Sequence, residues 1–412
     1  MKYIIKDTVV LSRPPEGPLA AHIGSFTQCV SEQGYAAKSL WQRVHLAACF
    51  SRWLGEQGVR LRGVSSEHPA QYLKHRARRV QPGRSDAAAL RHFMDFLRRQ
   101  EAIPVAKTPS RRLTPVEECA QAFERYLRED RALASATIVN YMPFISTFLN
   151  DRFSNGQVTL CRLSASDVVR FIQRQAPRLH QKRAKLLTTA LRSFLQYARY
   201  RGDITLDLAA AVPPVANWSM TSIPRAISAD HVRQLLASIN RRTAIGRRDY
   251  AILLLLARLG LRSSEVAFLE LDDIDWKSGR FSVRGKSGRR TDLPLPNDVG
   301  KAIVEYLQHG RPQSASRRLF LRAKAPIRGF LGSCAIGSIV HHALERAGID
   351  TPTKGAHQFR HGLATQMLRQ GASLTEIGEV LGHRSPQTTK IYTKVDLDAL
   401  RMLALPWPGG VR

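Results

Sequence analysis

The chain has 412 residues, enough to bury two or three separate cores, so a single domain is not expected. Lys and Arg total 63 against 33 Asp and Glu, a formal net charge of +30 with a pI near 10.8. Self-repulsion of that size destabilises a compact state unless a polyanion offsets it, which favours nucleic acid over an acidic membrane surface; no run of about 18 apolar residues exists to span a bilayer.

The first residues, Met1-Lys-Tyr-Ile-Ile-Lys-Asp, lack the apolar core of a signal peptide, and a cytoplasmic, nucleoid-associated protein is expected. The longest apolar run, residues 251–257, reads as a buried helix. Cys29, Cys49, Cys119, Cys161 and Cys334 are scattered, odd in number and without a C-x-x-C pair, and are expected to be reduced core thiols.

Two Pro-containing, weakly periodic stretches, residues 105–115 and 211–225, divide the chain into three blocks. Helical stretches are expected at 21–29, 40–54, a third running through Tyr72, and 85–99 in the first block. The second repeats that order at 119–127, 138–149, a third through Phe171, and 180–200. In both, a Ser-containing N-cap precedes the third helix and the last helix carries an apolar stripe, Phe93, Phe96 and Leu97 answering Leu191, Phe194 and Leu195. The blocks read as versions of one helical plan, although any two four-helix bundles look alike at this level.

The third block mixes types. A helix is expected from Asp249 to Leu259, then short strands at Asp273-Ile-Asp-Trp, Arg280-Phe-Ser-Val-Arg and Thr291-Asp-Leu-Pro-Leu, then further helices. Gly355-Ala-His357-Gln-Phe-Arg360-His361 opens one of these, its i, i+3 spacing placing His357 and Arg360 on one face. Leu381-Gly-His383 ends the next at a glycine C-cap, and Ser385-Pro386 restarts a helix presenting Tyr392 two turns in. Upstream, Leu259-Gly-Leu-Arg262-Ser-Ser-Glu265 sits at a break between two helices, and Gly285-Lys286-Ser-Gly tips the strand pair.

These residues resemble the tyrosine recombinase (phage integrase) family, in its Xer-like form: an Arg in a G-L-R-x-S-E box, a β-turn Lys, H-x-x-R, a second His in L-G-H, and a Tyr. Order and spacing agree together, with 24 residues from Arg262 to Lys286, 23 from Arg360 to His383 and 9 from His383 to Tyr392. Phe359 stands where Leu is usual and Gly362 where Ser or Thr is common. The resemblance covers the third block closely. It implies a mainly α fold with a small β-sheet, in which an α+β catalytic domain and helical-bundle DNA-binding domains clamp DNA. The expected divisions are an N-terminal helical DNA-binding or assembly module over 1–106, a core-binding domain over 107–212, a linker over 213–225 and a catalytic domain over 226–412.

The resemblance further implies that Tyr392 attacks a DNA phosphodiester to give a 3′-phosphotyrosine, so that rejoining needs no ATP, metal or other cofactor. Arg262 and Arg360 would hold the non-bridging oxygens, Lys286 would protonate the leaving 5′ oxygen, His357 would be the phenol's acid–base partner, and His383 would bond the scissile phosphate, both imidazole forms lying within reach at physiological pH. Glu265 would orient Arg262, and His361 would be structural. Lys182, Arg183, Lys185 and Arg192 are candidates for contact with double-stranded DNA. A homotetramer, or a mixed tetramer with related recombinases, is expected on two DNA sites, with the tail carrying Val395, Leu397, Leu400, Leu403 and Leu405 passed to a neighbour. Integration, excision or transposition of a mobile element is the expected use. The alternatives are a type IB topoisomerase-like enzyme, which an extra N-terminal module disfavours, and an accessory DNA-binding homologue, which an intact set of six residues disfavours. A metallonuclease is more distant, since no Cys or carboxylate stands at zinc-ligand spacing.

Overall fold

The computed structural model describes residues 3–5, 9–81, 83, 85–104, 113–153, 156–215, 225–285, 288, 290–351, 353–383 and 385–395. They fall into two compact units, one holding residues 1–106 with 222–412 and the other residues 107–221.

The first unit begins with an antiparallel pair, β1 (Tyr3–Ile5) and β2 (Val9–Leu11), followed by α1 (Ala20–Glu32), α2 (Ala37–Glu56), α3 (His68–Ala77) and α4 (Asp86–Arg99). Ile23, Phe26, Thr27 and Val30 recur every three or four residues, so α1 turns one stripe inward, where Phe26 meets Phe93 at 4.6 Å. A short 3₁₀ turn, Leu61–Gly63, joins α2 to α3. The expected Ser cap on α3 is not there: the N-cap is Glu67, without a side-chain bond, and Ser65 instead donates its backbone N–H to His68 Nδ1 at 2.8 Å.

The second unit is a separate helical bundle of α5 (Pro115–Glu129), α6 (Ser135–Phe153), α7 (Ala165–Gln175) and α8 (Gln181–Tyr200). Thr114 opens α5 and Ser164 opens α7 by reciprocal capping boxes with Glu117 and Asp167, which satisfy backbone N–H groups that a helix start leaves unpaired. Phe123 and Phe194 pack edge to face at 5.3 Å in its core.

The chain then returns to the first unit with α9 (Ala229–Ala237) and α10 (Ala244–Leu259). Every residue from Ala251 to Leu256 is buried, as the apolar run implied, but α10 begins five residues earlier than its hydrophobicity suggests. Arg248 explains this: its guanidinium is buried against Asp249 at 2.7 Å and the Leu321 carbonyl at 3.0 Å, so a charged-looking segment belongs inside. After α11 (Ser263–Phe268), the strands β3 (Ile274–Asp275), β4 (Arg280–Arg284) and β5 (Arg290–Pro294) form an antiparallel sheet in that order, followed by α12 (Asn297–His309), α13 (Cys334–Arg346), α14 (His357–Arg369), α15 (Leu374–Val380) and α16 (Pro386–Thr389). The fold is mainly α with a small β-sheet.

Within this unit, the Ile327 N–H donates to the Gln33 carbonyl at 2.8 Å, just beyond the end of α1. Gly34 makes the approach possible: with φ at +75°, any Cβ there would lie 2.5 Å from Ile327. Two cysteines depart from expectation, since Cys161 and Cys334 are exposed rather than in a core. Among the described residues no helix is long and apolar enough to cross a membrane.

Candidate active site

The site forms where three chain breaks meet. Helix α10 ends on Gly260 in the left-handed region (φ +58°), so the backbone turns away and Arg262 becomes the N-cap of α11. Its backbone N–H and one guanidinium nitrogen both reach Glu265, each at 2.7 Å, and the other terminal nitrogen donates to the Gly382 carbonyl at 3.2 Å. Glu265 is buried, so this ion pair fixes the guanidinium's direction more firmly than a surface pair could.

Arg360 comes from the first turn of α14 and is almost fully buried, at 3% exposure. Its terminal nitrogens donate to two backbone carbonyls freed at helix ends, Gly260 at 2.9 Å and Leu381. Burial first, then the nearby Arg262 charge, pulls its pKa down to about 10, which still leaves it cationic at neutral pH.

His383 follows α15 and hydrogen-bonds Thr389 Oγ1 through Nδ1 at 2.8 Å. Burial, with Arg360 and Arg262 adding to it, lowers its pKa to about 4. The expectation that both imidazole forms are accessible at physiological pH therefore fails here, because two guanidinium groups and partial burial oppose a further positive charge.

Tyr392 does not lie on a continuing α-helix. Helix α16 is a single turn opened by Ser385, and the chain tightens at once into a 3₁₀ helix, Lys390–Val395, that carries the tyrosine. The ring is 1% exposed, packed with Ala364, Ile377 and Leu381, and stacked parallel to His383 at 6.4 Å. Burial raises the phenol above its ordinary pKa, while Arg360 acts in the other direction.

The phenol's described hydrogen bond is with His361 Nδ1, at 3.0 Å. The residue read as structural thus touches the Tyr392 phenol. His357 opens α14 with an exposed side chain, its ring edge-on to His361 at 5.3 Å. The i, i+4 spacing of the two histidines was the signal for this adjacency.

A cavity of about 270 Å³ is lined by Arg262, Arg360 and His383, and on its other side by Val283, Gly285 and Thr291 of the β4–β5 hairpin. Lys286, next to Gly285, lies outside the described residues, as do Leu397, Leu400, Leu403, Leu405 and the side chain of Val395. In the second unit, Lys182, Arg183 and Lys185 are exposed near the start of α8, and Arg183 stands over the Phe144 ring at 4.8 Å. Arg192 differs: it is half-buried and donates to the Val212 carbonyl at 2.8 Å, which engages it within its own bundle.

Two arginines converging on a cavity beside a hydrogen-bonded phenol are suited to displacement at a phosphodiester. The sequence comparisons agree with that class. Residues 225–398 match the phage integrase family, and residues 120–202 match the phage integrase N-terminal SAM-like domain. The protein named integrase/recombinase y4rA of Sinorhizobium fredii is 59% identical over 409 residues, covering 99% of each chain. Tyrosine recombinase XerD of Mycobacterium tuberculosis is 31% identical over 307 residues, 70% of this chain and 96% of that one. Among solved structures, XerH recombinase in a post-cleavage complex with its difH substrate superposes with a TM-score of 0.57 at 19% identity, covering 76% of this chain and 94% of that one. A lambda integrase dimer on a core site gives a TM-score of 0.52 at 17% identity over 67% and 94% of the two chains.

This chain belongs to the phage integrase family of tyrosine recombinases, enzymes that cut and rejoin DNA.

Proposed function

We propose that the chain is a site-specific recombinase in which Tyr392 is the nucleophile, acting in the cytoplasm on double-stranded DNA, for integration, excision or transposition of a mobile element. The observation that carries this reading is the convergence of Arg262, Arg360 and His383 on one cavity, with the Tyr392 ring stacked on His383.

The phenolic oxygen attacks phosphorus as its proton leaves, the bond from phosphorus to the 5′ oxygen breaks, and the 5′ oxygen takes a proton from Lys286. DNA is left joined through its 3′ phosphate to the tyrosine, and attack by a 5′ hydroxyl reverses the step, so bond energy is conserved. Arg262 and Arg360 face the non-bridging oxygens, where negative charge gathers in the transition state. Their present carbonyl partners, Gly382 and Gly260, are weaker acceptors than a phosphate, so a bound phosphodiester competes well for the same N–H groups. His383 hydrogen-bonds the phosphate, whose negative charge opposes the lowering that burial and the two guanidinium groups impose in the DNA-free chain, and the His361–His357 pair accepts the phenol's proton. Tyr392 must leave its apolar seat to react, which makes the 3₁₀ segment the moving part.

Lys182, Arg183 and Lys185 contact the DNA backbone in a core-binding domain over 107–212, and the enzyme assembles as a tetramer on two sites, alone or mixed with related recombinases. A nicked suicide duplex carrying the element's end sequence tests the reading: in EDTA, the wild-type protein is expected to accumulate a covalent DNA adduct. Site binding without any adduct would point to an accessory role.

A further inference from the structure

We infer that residues 9–104 are a second copy of the helical module at 113–212, and that this copy offers duplex DNA a second basic face near the junction of its third and fourth helices.

The correspondence is one of positions and of contacts. Ile23, Phe26 and Val30 of α1 are each matched 97 positions later by Ala120, Phe123 and Leu127 of α5, all buried. Val64 and Tyr72 are matched 99 positions later by Leu163 and Phe171, and Phe93 and Leu97 are matched 101 positions later by Phe194 and Ala198. The offset grows only across connections. Two aromatic contacts repeat on this register: Phe26–Phe93 at 4.6 Å answers Phe123–Phe194 at 5.3 Å, and Phe50–Tyr72 at 5.4 Å answers Phe148–Phe171 at 5.0 Å. The fourth-helix pairing suggested by sequence, Phe93 with Leu191, is therefore off by three residues.

Resemblance between any two bundles would stop at the helices, but here the irregular parts repeat too. A 3₁₀ turn precedes the third helix in both, at Leu61–Gly63 and Leu160–Arg162. Ser65 N–H donates to the side chain of His68, as Ser164 N–H donates to Asp167. After the fourth helix, Ala102 N–H returns to the Leu97 carbonyl, as Asp203 N–H returns to Ala198. The residue just before each has positive φ, Glu101 at +54° and Gly202 at +80°; a non-glycine residue in that region is uncommon and marks a turn the fold imposes.

Excess positive charge recurs by location, at the junction of the third and fourth helices, although in the third helix's 99-residue register only Arg79 falls on a cation, Arg178. Residues 1–106 hold 16 Lys and Arg against 8 Asp and Glu. In the second module Arg178, Lys182, Arg183 and Lys185 are exposed at the junction of the third and fourth helices. In the first, Lys74, Arg78 and Arg79 are exposed at that junction, while neighbouring Arg76 is bonded to Asp86. Exposed guanidinium and ammonium groups clustered at one junction suit a run of phosphates. The inference rests on the proposed DNA contact by the second module.

The test measures binding of the full-length protein to a random-sequence duplex across a salt series. Removing three phosphate contacts with Lys74→Gln, Arg78→Gln and Arg79→Gln together is expected to make the slope of log K against log salt shallower by about 2–3, near 0.9 per contact. The charge-keeping set Lys74→Arg, Arg78→Lys, Arg79→Lys is expected to keep the wild-type slope. A parallel triple variant, Lys182→Gln, Arg183→Gln, Lys185→Gln, reads the second module. If only that one flattens the slope, the first module has no DNA face and the inference fails. If neither does, the DNA reading of the second module fails first and takes this one with it. Equal loss in the charge-keeping set would also overturn the proposal, because the effect would not be one of charge.

Discussion

Arg360 is the residue whose surroundings constrain its chemistry most. A planar fork bonded to the Gly260 and Leu381 carbonyls cannot be copied by an ammonium, so Arg360→Lys is expected to lower single-turnover cleavage by about 100-fold or more, with site binding retained in a gel-shift assay. His383 gives a pH signature. Its folded pKa, about 4, lies below the ordinary histidine value, so the unfolded chain takes up a proton first as pH falls. The stability it contributes is complete above about pH 6.5 and is lost progressively as pH falls toward 4. Denaturant melts between pH 7 and pH 4 should show a smaller acid loss for His383→Asn than for wild type; an equal loss would mean another group carries the titration. His361 makes the bond to the phenol, and His361→Ala is expected to slow cleavage by roughly 100-fold, the scale of a lost proton acceptor.

At the scale of elements, close backbone approaches decide what each position tolerates. A Cβ at Gly362 of α14 would lie 2.8 Å from the Ile227 carbonyl oxygen, where backbone rather than a flexible side chain must give way. Gly362→Ala is therefore expected to lower unfolding stability by about 1–3 kcal/mol in denaturant melts, although alanine is the better helix former. The same contact gives a physical reason for glycine at a position where Ser or Thr is common in the family. Much of the site was legible in sequence because its residues sit at element ends, where Gly260, Gly382 and Ser385 announce the breaks. The three strands were legible for a similar reason, being short alternating runs between glycine turns. The tight 3₁₀ geometry at Tyr392 was not, since Ser385-Pro386 signals only where a helix starts and not how soon it tightens. Nor was the inward turn of Arg360, which depends on carbonyls contributed by two distant chain segments.

At the scale of the whole molecule, the excess of +30 charges implies DNA affinity that falls steeply with salt, since each phosphate neutralised releases counterions. Residues 225–398 and 120–202 match known domains of the family, so the proposed second module rests on the packing of residues 9–104 alone. The central claim, that strand cleavage runs through Tyr392, is tested most directly by trapping the adduct on a nicked suicide duplex in EDTA and locating the DNA-bearing peptide by mass spectrometry. An adduct on Tyr392 is expected, and it should disappear in Tyr392→Phe while DNA binding persists. An adduct on another residue, or one that survives the substitution, would contradict it.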